Sequence, residues 1–223
     1  MKERESNFMD QIVLYPTEWY HFFSSRNKKS KANRACSLER FITRTNLFEK
    51  KILIFPTLIG DHWTLLILIN PLGTIASQSI TTLFCLDSLG ESHPKLEHLV
   101  KEYLSGAWSG LQAHDKVSLL KDDSMQWHLV SDRLLKFNVV RPNLATQKKD
   151  SNDSGPYLLY FFHRFMERID EYVTLLYIDD LQYWFDDEAK DSRENWKNHI
   201  VELAKTKRMY VGGQKRKRDS DKE

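Results

Sequence analysis

Cysteine is scarce: Cys36 and Cys85 are the only two in 223 residues, and they lie far apart with no pair spacing. That excludes a disulfide framework and a Cys-Cys metal site, and makes a reducing compartment, cytosol or nucleus, the expected setting. Charge of one sign is also lacking, since 33 Lys and Arg stand against 31 Asp and Glu, a net of +2. A strongly basic nucleic-acid binder is thereby excluded, and no direct nucleic-acid contact is expected. No apolar stretch approaches the roughly 20 residues of a membrane span. Nor does Met1-Lys2-Glu3-Arg4-Glu5 carry a signal-peptide core. The eight histidines show no His-x3-His spacing and no Gly-rich phosphate loop occurs, so no cofactor or metal is expected.

What the chain does have is the composition of a folded protein: 41% apolar, 29% charged and 12% aromatic residues. This length can bury a substantial core and suits one domain. We place that domain at residues 1–207 and a polar basic tail at 208–223. The tail's Lys215-Arg216-Lys217-Arg218 fits either an import signal or a solvated end.

The apolar pattern sets the elements. Lys51 to Pro56, Trp63 to Ile69 and Thr81 to Leu86 are short, near-continuous apolar runs bounded by Pro56, Gly60 and Pro71. They read as strands of a sheet covered on both faces. Phe137 to Val140 is a fourth candidate, ended by Pro142. Between Lys95 and Trp108, Leu96, Leu99, Val100, Tyr103, Leu104 and Trp108 recur every three or four residues, predicting an amphipathic helix on the sheet. Helices are also expected over 156–169 and over 191–205, the latter with Trp196, Ile200, Leu203 and Ala204 on one packed face. Around Pro16 a short first helix and a turn are expected, then a polar loop over 24–34.

Four residues in order carry chemistry. His62 opens a strand after the turn Ile59-Gly60-Asp61, which places its ring at the sheet edge. Asp87 ends the third run, where an acidic group needs a partner, and a histidine on the adjacent strand is a suitable one. Ser154, before Gly155 and Pro156, falls in the first turn of a helix, where free amides and the helix dipole favour a developing anion. A thiolate would gain more there than a hydroxyl, which must lose its proton at the moment of attack. Gln147, in the preceding loop, offers an uncharged amide to an oxyanion. Read singly, each has an ordinary role: edge histidine, turn aspartate, N-cap serine, loop glutamine. Trp63 is either core or the wall of a narrow channel.

Together, Phe48 to Pro56, Asp61-His62-Trp63-Thr64-Leu65, Asp87-Ser88-Leu89-Gly90 and the Gln147 to Gly155 loop resemble the Ulp/SENP family of SUMO-specific cysteine proteases over about residues 20–170. The segment Leu86 to His93 most resembles its Ulp2-like branch. The resemblance implies an α+β, papain-like fold with a central mixed sheet flanked by helices. It also implies cleavage after a C-terminal Gly-Gly, in maturation of a SUMO precursor or release of SUMO from a lysine. On that likeness His62 is the general base, Asp87 its orienter, Ser154 the nucleophile position, Gln147 the oxyanion donor and Trp63 the cover of the diglycine channel. The implied partner is SUMO or another ubiquitin-like modifier.

Three departures from the family pattern stand out. Ser154 replaces the family's Cys; Gln147 lies seven positions before it rather than six; and the helical segment before Tyr20 is shortened. The chain as written is expected to bind better than it cuts. The alternative is a natural pseudoprotease that binds a ubiquitin-like modifier without cleaving it.

Overall fold

The computed structural model describes residues 10–24, 47–72, 81–111, 137–142, 144, 146–149, 151–169, 191, 193–203 and 205. Cys36, most of the 24–34 loop and the basic tail lie outside these residues. Five strands form one mixed sheet in the order β1 to β5: β1 (Ile12–Leu14), β2 (Ile52–Ile59), β3 (His62–Ile69), β4 (Thr82–Asp87) and β5 (Asn138–Val140). The three central strands are antiparallel, and β1 and β5 add to the two edges in parallel.

The central runs form strands because every second side chain meets a different apolar layer. Leu53, Phe55, Leu66, Leu68, Leu83 and Cys85 face one layer, built from α1 (Trp19–Ser24) and α2 (Pro94–Gly110) through Trp19, Leu96, Val100, Tyr103 and Trp108. Ile52, Ile54, Leu65, Ile67, Phe84 and Leu86 face α3 (Ser154–Glu167) through Tyr157, Tyr160, Phe161 and Phe165. A sheet covered on both faces has no polar face, which is why the runs are continuous instead of alternating. The architecture is therefore α+β, a mixed sheet between helical layers.

Two local devices set the register. Ile59 pairs with His62 across the two-residue loop Gly60-Asp61. Gly60 has φ of +60°, a backbone that a tight hairpin needs at its first loop position and that glycine adopts without strain. Pro56 does not end the strand as the sequence suggests; β2 runs on to Ile59. Counting ladder pairs back from the hairpin, Pro56 opposes Leu65 at a site without hydrogen bonds to β3, and β1 reaches only Ile54 on the other side. No ladder bond is lost to the missing N–H.

Other expectations are adjusted. The chain before Pro16 is strand β1, and the first helix starts after it, at Trp19. Residues 193–203 are helical, forming α4, but Ile200 and Leu203 are more than half exposed. The predicted packed face of α4 is thus an outer one. It is Trp196, edge-on to His163 of α3, and Arg193, paired with Asp153, that dock α4.

Candidate active site

The site lies at one end of the sheet, where β3 begins, β4 ends and α3 starts. Period two places His62 and Thr64 on the α2 side of β3 and Trp63 on the α3 side. Thr64 opposes Asp87, and β4 stops there, so no β4 residue opposes His62. Its Nε2 reaches back to Asp87 Oδ2 at 2.9 Å, with 19% of the His62 side chain exposed. Two groups that the sequence separates by 25 positions are thereby hydrogen-bonded at the sheet end.

Asp87 is only 2% exposed, and its carboxylate is surrounded by donors. Oδ2 also accepts from Thr64 Oγ1 at 3.0 Å and meets His93 Nε2 at 2.6 Å. Oδ1 accepts from the Leu89 amide at 2.7 Å and the Glu91 amide at 3.4 Å. Burial pushes this carboxyl up, but the hydrogen bonds from His93, Leu89 and Thr64 and the charge of His62 outweigh it, leaving the group well below the usual carboxylate range. Asp87 is therefore ionised and acceptor-only at neutral pH.

Ser154 is the first residue of α3, 4% exposed, with Asp153 before it as N-cap. Asp153 makes no capping bond; its Oδ1 takes the Arg193 guanidinium at 2.5 Å instead, and that bond holds its carboxyl below the ordinary value. Ser154 thus sits at the free-amide end of a 14-residue helix, not at its cap. A Cβ on Gly155 would lie 3.5 Å from Trp63 Cδ1. That contact brings the neighbour of His62 against the neighbour of Ser154.

Gln147 is nearly buried and fixed from both ends. Its Oε1 accepts from Ser88 Oγ at 2.7 Å, its Nε2 donates to the Ser151 carbonyl at 3.0 Å, and its backbone amide donates to the Ser88 carbonyl at 2.9 Å. Because the Ser151 carbonyl can only accept, the NH₂ must face it and the amide orientation is set, leaving Nε2 one further N–H to offer. The loop of seven positions from Gln147 to Ser154 is held by these bonds and by Tyr157 Oη donating to the Thr146 carbonyl at 3.2 Å. Ser88→Ala should leave Gln147 Oε1 buried without a donor and lower stability by about 1–3 kcal/mol, read as a shifted urea midpoint.

Sequence reasoning singled out His62, Asp87, Ser154, Gln147 and Trp63; Thr64, Ser88 and His93 fall inside the motif segments it quoted but received no role there. Nothing in local spacing marks those three, since each acts on a residue from another element. Cys85 is no substitute nucleophile: it lies in mid-β4, buried, and burial pushes its thiol up to about 12, with Glu97 adding to the shift. At pH 8 Cys85 should stay unmodified by iodoacetamide in the native protein; labelling as fast as in the unfolded chain would refute this. Among the described residues, no group of three or more His, Cys, Asp or Glu is placed to hold a metal, and no helix is long and apolar enough to cross a membrane.

Comparison with known proteins identifies the family. The family model of the Ulp1 protease family, C-terminal catalytic domain, matches residues 1–200. Ubiquitin-like-specific protease 1D of Arabidopsis thaliana is 29% identical over 161 residues, covering 71% of this chain and 26% of its own length. Probable ubiquitin-like-specific protease 2B of the same plant is 25% identical over 179 residues, covering 70% of this chain and 18% of its own. The chain thus spans about a quarter or less of the relatives it matches. These relatives carry both type 1 and type 2 names, so the likeness does not separate the branches. A solved structure described as a de-sumoylating protease superposes with a TM-score of 0.64 at 17% identity, over 96% of this chain and 79% of that one, which shows the shared fold. By its sequence, then, this chain belongs to the Ulp1 protease family of cysteine-type ubiquitin-like-specific proteases.

Proposed function

We propose that this chain is a deSUMOylating protease scaffold that seats the C-terminal Gly-Gly of SUMO or a related modifier, with a serine standing where the reaction needs a thiol. The observation that carries it is the His62–Asp87 pair at the sheet end, joined through the Trp63–Gly155 contact to the residue that starts α3. In this reading the bond after the second glycine is either a precursor peptide or an isopeptide to lysine. His62 takes the proton of the nucleophile, Asp87 holds the imidazole and its developing charge, and Gln147 donates to the oxyanion. The indole of Trp63, in this reading, covers the channel that takes the diglycine.

Serine at position 154 retains the shape and loses the chemistry. A thiol near the start of α3 ionises readily, whereas a hydroxyl there must be deprotonated during attack by a base suited to a thiol. Retained binding with negligible turnover follows. The second reading, a natural pseudoprotease, is favoured by the combination of Ser154 with the seven-position spacing from Gln147. In this reading the setting is an intracellular reducing compartment, nucleus or cytoplasm, which suits two cysteines without pair spacing. The Ulp2-like branch rests on the segment Leu86 to His93.

Titration calorimetry with SUMO ending in Gly-Gly, and with SUMO shortened by those two residues, tests the seat. Binding should weaken by tenfold or more on removing the glycines, about 1.4 kcal/mol. Equal affinity would place the contact elsewhere. Trp63→Ala should reduce the difference between the two forms, since it opens the channel wall.

A further inference from the structure

The carboxylate of Asp87 is shared by two imidazoles, and the shorter contact belongs to the one outside the proposed triad: His93 Nε2 at 2.6 Å against His62 Nε2 at 2.9 Å. We propose that His93 is a positioning residue, which locks the Asp87 carboxylate so that His62 is held as its Nε2–H tautomer with Nδ1 left to exchange a proton with the nucleophile. Its consequence for rate rests on the cleavage reading above; its consequence for His62 does not.

The placement of His93 suits the task. It immediately precedes Pro94, which disfavours a helical backbone there, and it has φ of −121° and ψ of 67°, outside the helical region. Its carbonyl accepts from the amides of Leu96 and Glu97, closing the first turn of α2. That helix is anchored through Leu96, Val100 and Trp108, all buried. The His93 ring, 13% exposed, therefore projects from a rigid helix start onto the end of β4. Its Nε2 also lies 3.4 Å from Thr64 Oγ1, which itself donates to Asp87 Oδ2.

Proton counting gives the rest. An ionised carboxylate only accepts, so each imidazole nitrogen facing it must carry a hydrogen. With the two amides on Oδ1 and Thr64 and His93 on Oδ2, the carboxylate is fixed in plane and rotation before His62 arrives. His62 Nε2–H then has one acceptor in one place, and its tautomer is set by that bond. Without His93, Oδ2 keeps one fixed donor, Thr64, and the orienting bond to His62 loosens. Partners that orient metal-bound histidines are worth about 10–100-fold, and a loss of that order is expected by analogy here.

The test compares His93→Gln, which retains an N–H donor at similar reach, with His93→Met, similar in length and without one. Nitrogen-15 chemical shifts of the His62 ring are read in the chain with Ser154 intact, so no catalysis is needed. We expect Nε2–H at His62 in the parent and in His93→Gln, and a mixture with Nδ1–H in His93→Met. In a Ser154→Cys background reacting with a SUMO vinyl sulfone, His93→Met should lower the maximal labelling rate about tenfold at unchanged half-saturating probe. His93→Gln should recover most of that loss. An identical His62 tautomer in all three forms overturns the proposal, as does an Nδ1–H tautomer at His93 in the parent, a result independent of how the variants fold. A folded Ser154→Cys chain that never labels defeats the cleavage reading alone, leaving the tautomer comparison to decide His93.

Discussion

Ser154→Cys should turn a chain that binds into one that reacts, with covalent labelling by a SUMO-derived vinyl sulfone rising by at least about 10³-fold, some 4 kcal/mol of barrier. A free thiol has a pKa of about 8.5 and falls further at a helix N-terminus, so an appreciable fraction is already thiolate near neutral pH. The hydroxyl has no such fraction. Geometry is conserved in the exchange, because a buried Ser154 at the first position of α3 is replaced by a side chain one larger atom in size. Mass mapping should place the adduct at position 154 and leave Cys85 bare. A ubiquitin vinyl sulfone run in parallel reads the modifier: an adduct with SUMO alone supports the deSUMOylating reading. If the folded variant reacts with neither probe, the pseudoprotease reading takes its place.

Asp87→Asn should damage both the chemistry and the fold. An amide cannot accept on both sides: the Leu89 and Glu91 amides approach one oxygen, and His62, His93 and Thr64 the other. Whichever way Asn is turned, an NH₂ faces donors. We expect a loss of about 3 kcal/mol in stability, the cost of taking one partner from a buried charged network. In the Ser154→Cys background the labelling rate should fall about 10³- to 10⁴-fold, since the imidazole loses its enforced tautomer.

The stability difference between the parent and Asp87→Asn has a definite pH dependence. The carboxyl lies lower in the folded than in the unfolded chain. Its contribution is thus fully present above the unfolded value of about 3.9 and is lost as pH falls toward the folded value. Urea midpoints of parent and variant should converge below about pH 4 and stay apart at pH 6. A gap that persists unchanged down to pH 2 would show that Asp87 is not held ionised by its donors.

Much of the fold is legible in short-range pattern. The runs at Ile52, Trp63 and Thr82 read as covered strands because each is apolar on both faces, and Leu96 to Trp108 reads as a helix because its apolar residues recur every three to four positions. The Gly60-Asp61 loop announces the hairpin that puts His62 at the edge. Pattern fails where an element is too short to carry one. β1 has three residues and exists because β2 offers it an edge, whereas the equally short β5 was legible in the run Phe137 to Val140 before Pro142. It also fails at α4, whose apolar stripe implied a packed face while Ile200 and Leu203 stand in solvent.

The candidate site divides along the same line. By itself the sequence determined the order of His62, Asp87, Gln147 and Ser154, the chemistry each side chain can perform, and the absence of a thiol at the helix start, because those are properties of residue type and local context. Only the tertiary structure decided that Asp87 serves two histidines, that Ser88 fixes Gln147 across 59 positions and that Trp63 lies against Gly155. Those facts depend on where β4 stops, how α2 starts and which loop crosses it. A hydrogen bond is sensitive to tenths of an ångström, and separations of that size are set by packing of the whole sheet and its two helical layers, which no short window of sequence contains.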